Sequence, residues 1–240
     1  MARKNLVRSS SLPYHVTARA NNREAFHLEL HKVWDILCDR CFEAIYGHGA
    51  EMHAFVLMPN HFHMLVTTPK SELGNVMRDF MRSATRSINL FGERSGRVFG
   101  GPYYGSLVDS PYYFANAFKY VYRNPVRAGL AVLAEDYPFS TLHGLAGRGL
   151  LPFPLNYPFG RAGFIGVPDD PFGLLDWVNR PSSREEELMV RKALRKTRFC
   201  LEKSGWRRTI ELLVDQRENW RAVQYDALGI KKKEWMTGPY

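Results

Sequence analysis

Two apolar runs separated by a two-residue break constrain this chain more than any other feature. Met52–Met58 and Met64–Thr68 flank Pro59-Asn60 and the stretch His61-Phe62-His63. Runs of this length, bounded by a Pro-Asn turn signal, predict two strands joined by a tight hairpin. Side chains on a strand alternate faces, so His61 and His63 point one way and Phe62 points the other. A ring anchored in a core between two imidazoles makes half a metal site, because neutral imidazole is a ready ligand for divalent ions. The competing reading of an isolated His-x-His is the exposed polar face of a strand.

The rest of the first 130 residues supplies partners for that hairpin. Leu12 to Arg19 predicts a first strand ending at Asn21-Asn22. Leu28 to Tyr46 has apolar residues at spacings of three and four and stops at Gly47 and Gly49, which predicts a helix. Ser71 is a candidate N-cap for a second helix running to about Phe91. Tyr103 to Asp109 reads as a fourth strand. Ser110-Pro111 predicts the start of a third helix, with Pro125 ending it at about Asn124. Strand, helix, strand, strand, helix, strand, helix is an α+β plan. It predicts a ferredoxin-like split βαβ antiparallel sheet with helices on one face.

Charge narrows the partner. Thirty-three Lys and Arg against 24 Asp and Glu give a net charge of +9. Residues 70–130 hold nine basic and four acidic side chains, and residues 182–240 hold fourteen and nine. A clustered surplus points to a polyanion, with nucleic acid ahead of membrane. Arg78, Arg82 and Arg86 recur every four residues on the second helix, a stripe able to track a phosphate backbone. No apolar run approaches the ~20 residues of a membrane span. No secretory signal opens the chain, and three cysteines argue against a disulfide framework. A cytoplasmic, nucleoid-associated protein is expected. Cys38 and Cys41 are spaced C-x-x-C but lie in a helical stretch without a second pair.

On the third helix, Tyr120 and Asn124 are four apart and share a face. If that face meets the sheet beside His61 and His63, a phenol and an amide oxygen join two imidazoles. Tyr122 sits about 200° round the helix from Tyr120, so one of the two tyrosines can face the site.

His61-Phe62-His63 after Met58-Pro59-Asn60, together with Tyr120-x-x-x-Asn124-Pro125-Val126-Arg127-Ala128-Gly129, resembles the HUH single-tyrosine transposases of bacterial insertion sequences. The REP-associated branch is the nearest match. Tyr14-His15-Val16-Thr17 with Arg19, Asn22-Arg23, and Val98-Phe99-x-Gly101 fit the same pattern, and the resemblance covers roughly residues 10–145. It implies a single-stranded DNA endonuclease and strand transferase with a 5′-phosphotyrosine intermediate, a Mg²⁺ or Mn²⁺ cofactor and recognition of hairpins from imperfect palindromes. Tyr120 matches the nucleophile. His61 and His63 match the metal ligands, and Asn124 the third-ligand position, for which His53 on the preceding strand competes. Where the family often has Arg-aromatic-Lys after the glycine, this chain has Pro102-Tyr103-Tyr104, so the basic contact near the scissile phosphate is either absent or supplied by Lys119 or Arg123. The alternatives are a non-cleaving hairpin DNA-binding protein of the same fold and a metal-dependent hydrolase; the protein would act as a monomer or homodimer.

The expected organisation is a catalytic domain over 1–136, then an irregular segment over 137–181 with seven Pro and seven Gly, packed on the domain. A basic helical appendage follows over 182–240, with a capping box at Ser183-x-x-Glu186, a helix to about Lys203, a second helix over 207–225 and the run Lys231-Lys232-Lys233.

Overall fold

The computed structural model describes residues 6–156, 168 and 170–199. The expected helix over 207–225 and the Lys231–Lys233 run lie outside the described residues. All described elements belong to one compact unit, Met1–Cys200.

Four strands form an antiparallel sheet: β1 (Tyr14–Arg19), β2 (Glu51–Met58), β3 (His61–Thr67) and β4 (Tyr104–Leu107), in the order β2-β3-β1-β4. Helices α1 (Leu30–His48) and α2 (Leu73–Phe91) connect them in the split βαβ pattern that the sequence predicts. Pro59-Asn60 closes the hairpin between the paired residues Met58 and His61.

The register sorts the side chains into two faces. Leu57, Phe62 and Ala18 lie abreast, as do Phe55, Met64 and Val16, and Met52, Val66 and Tyr14. All nine are buried in one cluster with Val33 and Leu37 of α1 and Val76, Met77, Phe80 and Ala84 of α2. Phe62, fully buried, packs against Phe55, Phe80 and Phe99 at ring separations of 5.9, 5.5 and 6.1 Å. Burying such a ring contributes about 2–3 kcal/mol, so the hairpin cannot slip by one residue without exposing it.

The other face carries the polar rows: Met58, His61 and Arg19, then Val56, His63, Thr17 and Tyr104. A third helix, α3 (Pro111–Arg127), covers this face over β2 and β3. It starts where expected, with Ser110 Oγ accepting from Tyr113 N at 3.1 Å. The arrangement of helices on one face thus holds for α1 and α2, and α3 occupies the opposite one. Its buried Phe114, Phe118, Val121 and Tyr122 need an apolar surface of their own, and the second sheet face provides it.

Two boundaries differ from expectation. Helix α2 begins at Leu73 after Glu72, without a side-chain cap from Ser71. Pro125 lies inside α3, which runs on to Arg127. Proline cannot donate to the carbonyl four residues back. Here the Asn124 side chain compensates, its Nδ2 donating to the Tyr120 carbonyl at 2.8 Å and the Val121 carbonyl at 3.4 Å.

Beyond α3, the Pro/Gly-rich stretch includes two short helices, α4 (Thr141–Leu145) and α5 (Pro171–Asn179). Helix α6 (Arg184–Ala193) starts with the Ser183/Glu186 capping box, as expected, and stops ten residues short of Lys203. After α6 the chain returns to the sheet. Leu107 N donates to Thr197 O at 2.9 Å and Phe199 N to Leu107 O at 2.7 Å, so residues 197–199 line the outer border of β4. At the other border, Leu57 N donates to Phe139 O at 2.9 Å and Asn156 N to Met52 O at 2.7 Å.

Candidate active site

The polar sheet face, the C-terminal half of α3 and the end of α6 enclose a cavity of about 340 Å³. His61, His63, Tyr120 and Asn124 all line it. Their convergence follows from two periodicities. The strand repeat puts both imidazoles on one face, and the helical repeat puts Tyr120 and Asn124 on the flank of α3 that looks at them.

The two imidazoles meet at their Nε2 atoms, 3.1 Å apart. Metal–nitrogen bonds of about 2.1 Å at a right angle would separate two ligand atoms by about 3.0 Å. Neutral rings are a precondition, because a protonated imidazole has no lone pair to give. Burial pushes His61 down to about 4, helped by the nearby Arg19 cation, and pushes His63 well below the ordinary histidine range, helped by His15, His61, Arg127 and Arg19. Both nitrogens on the far sides of the rings are engaged: His61 Nδ1 with Asn60 Oδ1 at 2.7 Å and His63 Nδ1 with His15 Nε2 at 2.9 Å. The donor set therefore fits a divalent cation with nitrogen and oxygen ligands. Among the described residues no group of three His, Cys, Asp or Glu side chains is placed to hold a metal ion, so the protein offers two imidazoles plus an amide.

Asn124 is anchored by the two carbonyls that its Nδ2 serves, which leaves Oδ1 as its remaining acceptor. His53, the competing third ligand, sits at a register shift between Met52 and Ala54. Its Nδ1 pairs with Asn156 O at 2.6 Å and its Nε2 with Thr67 Oγ1 at 2.8 Å. With both nitrogens spent in the core, His53 has no lone pair for the cavity.

The Tyr120 ring meets His63 edge-on at 5.7 Å and His15 at 6.2 Å, and the Arg127 guanidinium lies 5.0 Å above it. Tyr122 points the other way. It is fully buried, with its hydroxyl 2.9 Å from Thr141 Oγ1.

Four arginines line the cavity: Arg19 from β1, Arg127 from α3, Arg191 from α6 and Arg195 just after it. Arg127 Nε pairs with Glu187 at 3.0 Å, and its Nη1 is buried without a partner among the described residues. The Tyr104 hydroxyl donates to the Arg195 carbonyl and ties this segment to the sheet.

The basic residues that the sequence singled out are elsewhere. Arg78, Arg82 and Arg86 are exposed on α2, across the sheet from the cavity, and Arg78 is bound to Asp79 and Asn75. Arg123, nearly buried, donates to the Val178 and Asn179 carbonyls at 3.2 and 2.6 Å. The Lys119 ammonium lies 5.2 Å above the Trp177 ring, and burial, with Arg123 and Arg180 beside it, lowers it to about 7. Arg123 braces α5 and, through Glu187, α6, while Lys119 packs on α5, so neither lines the cavity. Arg19, Arg191 and Arg195 were missed as site residues. Arg19 was legible from the strand register opposite His61, whereas Arg191 and Arg195 needed a long-range contact with no local signature.

Residues 8–122 match the family model described as transposase IS200 like. That stretch, just under half of the chain, resembles the IS200-like transposases. The chain is 26% identical over 104 residues to the REP-associated tyrosine transposase of Escherichia coli K12, which covers 42% of this chain and 60% of that protein. It is 24% identical over 104 residues to a putative REP-associated tyrosine transposase of Haemophilus influenzae, covering 39% of this chain and 59% of the relative. The match thus spans about three fifths of the length of each curated relative. A solved structure of a REP-associated tyrosine transposase bound to a REP hairpin superposes with a TM-score of 0.54 at 20% identity, covering 65% of this chain and 91% of the other. That likeness establishes a shared α+β fold. Among the described residues no helix is long and apolar enough to cross a membrane.

Proposed function

We propose that this chain is an IS200-like transposase that cleaves and rejoins single-stranded DNA at hairpins formed by imperfect palindromes, through a 5′-phosphotyrosine on Tyr120. The observation that carries the reading is the placement of a phenol edge-on to His63 in a cavity lined by four arginines. A phosphodiester is the anion such a cavity suits: guanidinium groups bind phosphate oxygens through charge-assisted, often paired hydrogen bonds.

His61 and His63, with Asn124 Oδ1, would hold Mg²⁺ or Mn²⁺. Such a cation, when bound, offsets charge on the phosphoryl oxygens and orients them for in-line displacement. The chain's own residues do the rest. The Arg127 guanidinium, 5.0 Å above the Tyr120 ring, holds that ring in place beside His63. The Tyr120 oxygen displaces the 3′-oxygen at phosphorus, so one P–O ester bond forms as another breaks. The strand ends as a 5′-phosphotyrosine and a free 3′-hydroxyl, and the proton lost by the phenol balances the one gained by the leaving oxygen. Because the ester bond is conserved, the 3′-hydroxyl of the same or another strand can reverse the step without ATP.

The structural relative, a complex with a REP hairpin, supports hairpin DNA as the partner. The test is a labelled hairpin with a single-stranded flank, incubated with Mn²⁺ and resolved on a denaturing gel. A protein–DNA band that is absent in Tyr120→Phe and retained in Tyr122→Phe is expected. A hairpin shifted on native gels with no covalent band under any divalent cation would favour the non-cleaving binder, and cleavage that persists in Tyr120→Phe would favour an activated-water hydrolase.

A further inference from the structure

The imidazole pair belongs to a longer polar chain whose direction is fixed at one end. Asn60 Nδ2 donates to the Arg23 carbonyl at 2.8 Å. That contact settles the amide orientation, so Oδ1 is the atom 2.7 Å from His61 Nδ1. An amide oxygen only accepts, so His61 Nδ1 must carry the hydrogen and His61 Nε2 must be bare. The atom facing it at 3.1 Å, His63 Nε2, is then the donor in the metal-free protein. His63 Nδ1 is consequently bare and accepts from His15 Nε2 at 2.9 Å. The chain ends at His15 Nδ1, which is buried and has no partner among the described residues. As a bare acceptor it is tolerable there; as an N–H it would be an orphaned buried donor, the costlier case.

A cation between the two Nε2 atoms reverses half of this order. His61 already presents a lone pair. His63 does not: its hydrogen must leave Nε2 and Nδ1 must gain one, and the Nδ1–H then needs an acceptor. His15 Nε2 is the only polar atom within hydrogen-bond reach of it among the described residues. His15 must therefore give up its Nε2 hydrogen and carry one on Nδ1, where it is an orphaned buried donor whose cost the bound cation has to offset. The count of protons is unchanged, two on the pair before and two after, and the net charge of the pair is zero throughout.

We infer that Asn60 and His15 are positioning residues with unequal roles: Asn60 holds His61 permanently ready for a cation, whereas His15 and His63 exchange tautomers together when one binds. The inference rests on the cation-binding reading above. It also explains why a histidine, able to accept or donate at the same atom, stands at position 15, where its ring stacks on His63 at 5.1 Å and meets Tyr120 at 6.2 Å.

The test is long-range ¹H–¹⁵N correlation of imidazole nitrogens in ¹⁵N-histidine-labelled full-length protein, with and without saturating Mg²⁺, which is diamagnetic. Without metal, His61 should be the Nδ1–H tautomer and His63 and His15 the Nε2–H tautomers. With Mg²⁺, His61 should be unchanged and His63 and His15 should both become Nδ1–H. Calorimetric titration with Mn²⁺ supplies a second readout. Loss of a hydrogen-bond partner to a ligating histidine typically weakens metal binding 10–100-fold, so His15→Leu and Asn60→Leu should each bind Mn²⁺ about that much more weakly. His15→Gln, whose amide can accept or donate, should recover most of the loss. His63 already Nδ1–H without metal, His15 unmoved by Mg²⁺, or His15→Leu binding Mn²⁺ as tightly as the wild type would each overturn the inference. A Tyr120 adduct formed by a protein whose His63 tautomer never changes would overturn this inference and spare the cleavage reading. Tautomer exchange in a protein that forms no adduct would do the reverse.

Discussion

Replacing Asn124 with alanine removes the side chain that lets α3 continue through a proline. In a regular helix the Val121 carbonyl accepts from the N–H of residue 125; Pro125 has none. The Asn124 amide stands in at 3.4 Å and also serves the Tyr120 carbonyl at 2.8 Å. The Tyr120 carbonyl keeps the ordinary helical donor at residue 124, so its loss costs little. The Val121 carbonyl, whose regular helical donor is missing at Pro125, loses the group that replaces it, and a buried unsatisfied carbonyl costs about 1–3 kcal/mol. Asn124→Ala should therefore destabilise the protein by about that amount, measured by urea unfolding in EDTA so that no cation contributes. Pro125→Ala returns the missing N–H. In that background the same Asn124→Ala change should cost at least about 1 kcal/mol less, a coupling well above the few tenths expected of independent sites. Equal costs in the two backgrounds would refute the argument and leave Asn124 with no part in carrying the helix to Arg127.

The two tyrosines should separate cleanly: Tyr122→Phe gives up the hydrogen bond to Thr141 and about 1 kcal/mol of stability, while Tyr120→Phe stays within about 0.5 kcal/mol of wild type and forms no adduct. Burial depresses His15 to about 3 and His53 and His61 to about 4, so the unfolded chain takes up protons below about 6.5 that the folded chain refuses. Stability should be fully present above that pH and fall progressively towards pH 4, read as a declining urea midpoint; a midpoint that rises between pH 7 and pH 5 would contradict it. Arg191→Gln and Arg195→Gln should each weaken single-stranded DNA binding and flatten the plot of log K against log salt by about 0.7 for each phosphate that is no longer neutralised, whereas Lys119→Gln should leave that slope unchanged. Cys38 and Cys41 are buried with their thiols pushed up by that burial, so alkylation at these two positions in the folded protein should be slow until urea opens it.

What could be read from the sequence was whatever a short period encodes. The alternation through Phe62 assigned both faces of β3, and the spacing of Tyr120 and Asn124 assigned one flank of α3. The capping box at Ser183 located the start of α6. What could not be read depends on packing between distant segments. Pro125 carries a local stop signal, and only the anchored Asn124 amide overrules it. His53 has the composition of a ligand, and only Thr67 and Asn156 reveal that its nitrogens are spent. Lys119 and Arg123 look like a basic face until α5 and α6 close over them. Arg191 and Arg195, which do line the cavity, are about 70 residues away from Tyr120 along the chain, beyond the range of any pattern within one element.

A bare strand at the rim of a sheet is an open invitation to another polypeptide. This chain declines it on both sides, with residues 197–199 lying along β4 and residues 139 and 156 along β2. A second strand pairing at Leu107, or at Leu57 and Met52, would first have to displace these segments. Each copy, moreover, carries its own phenol against its own imidazoles, so nothing in the described fold requires a neighbour to lend the attacking group.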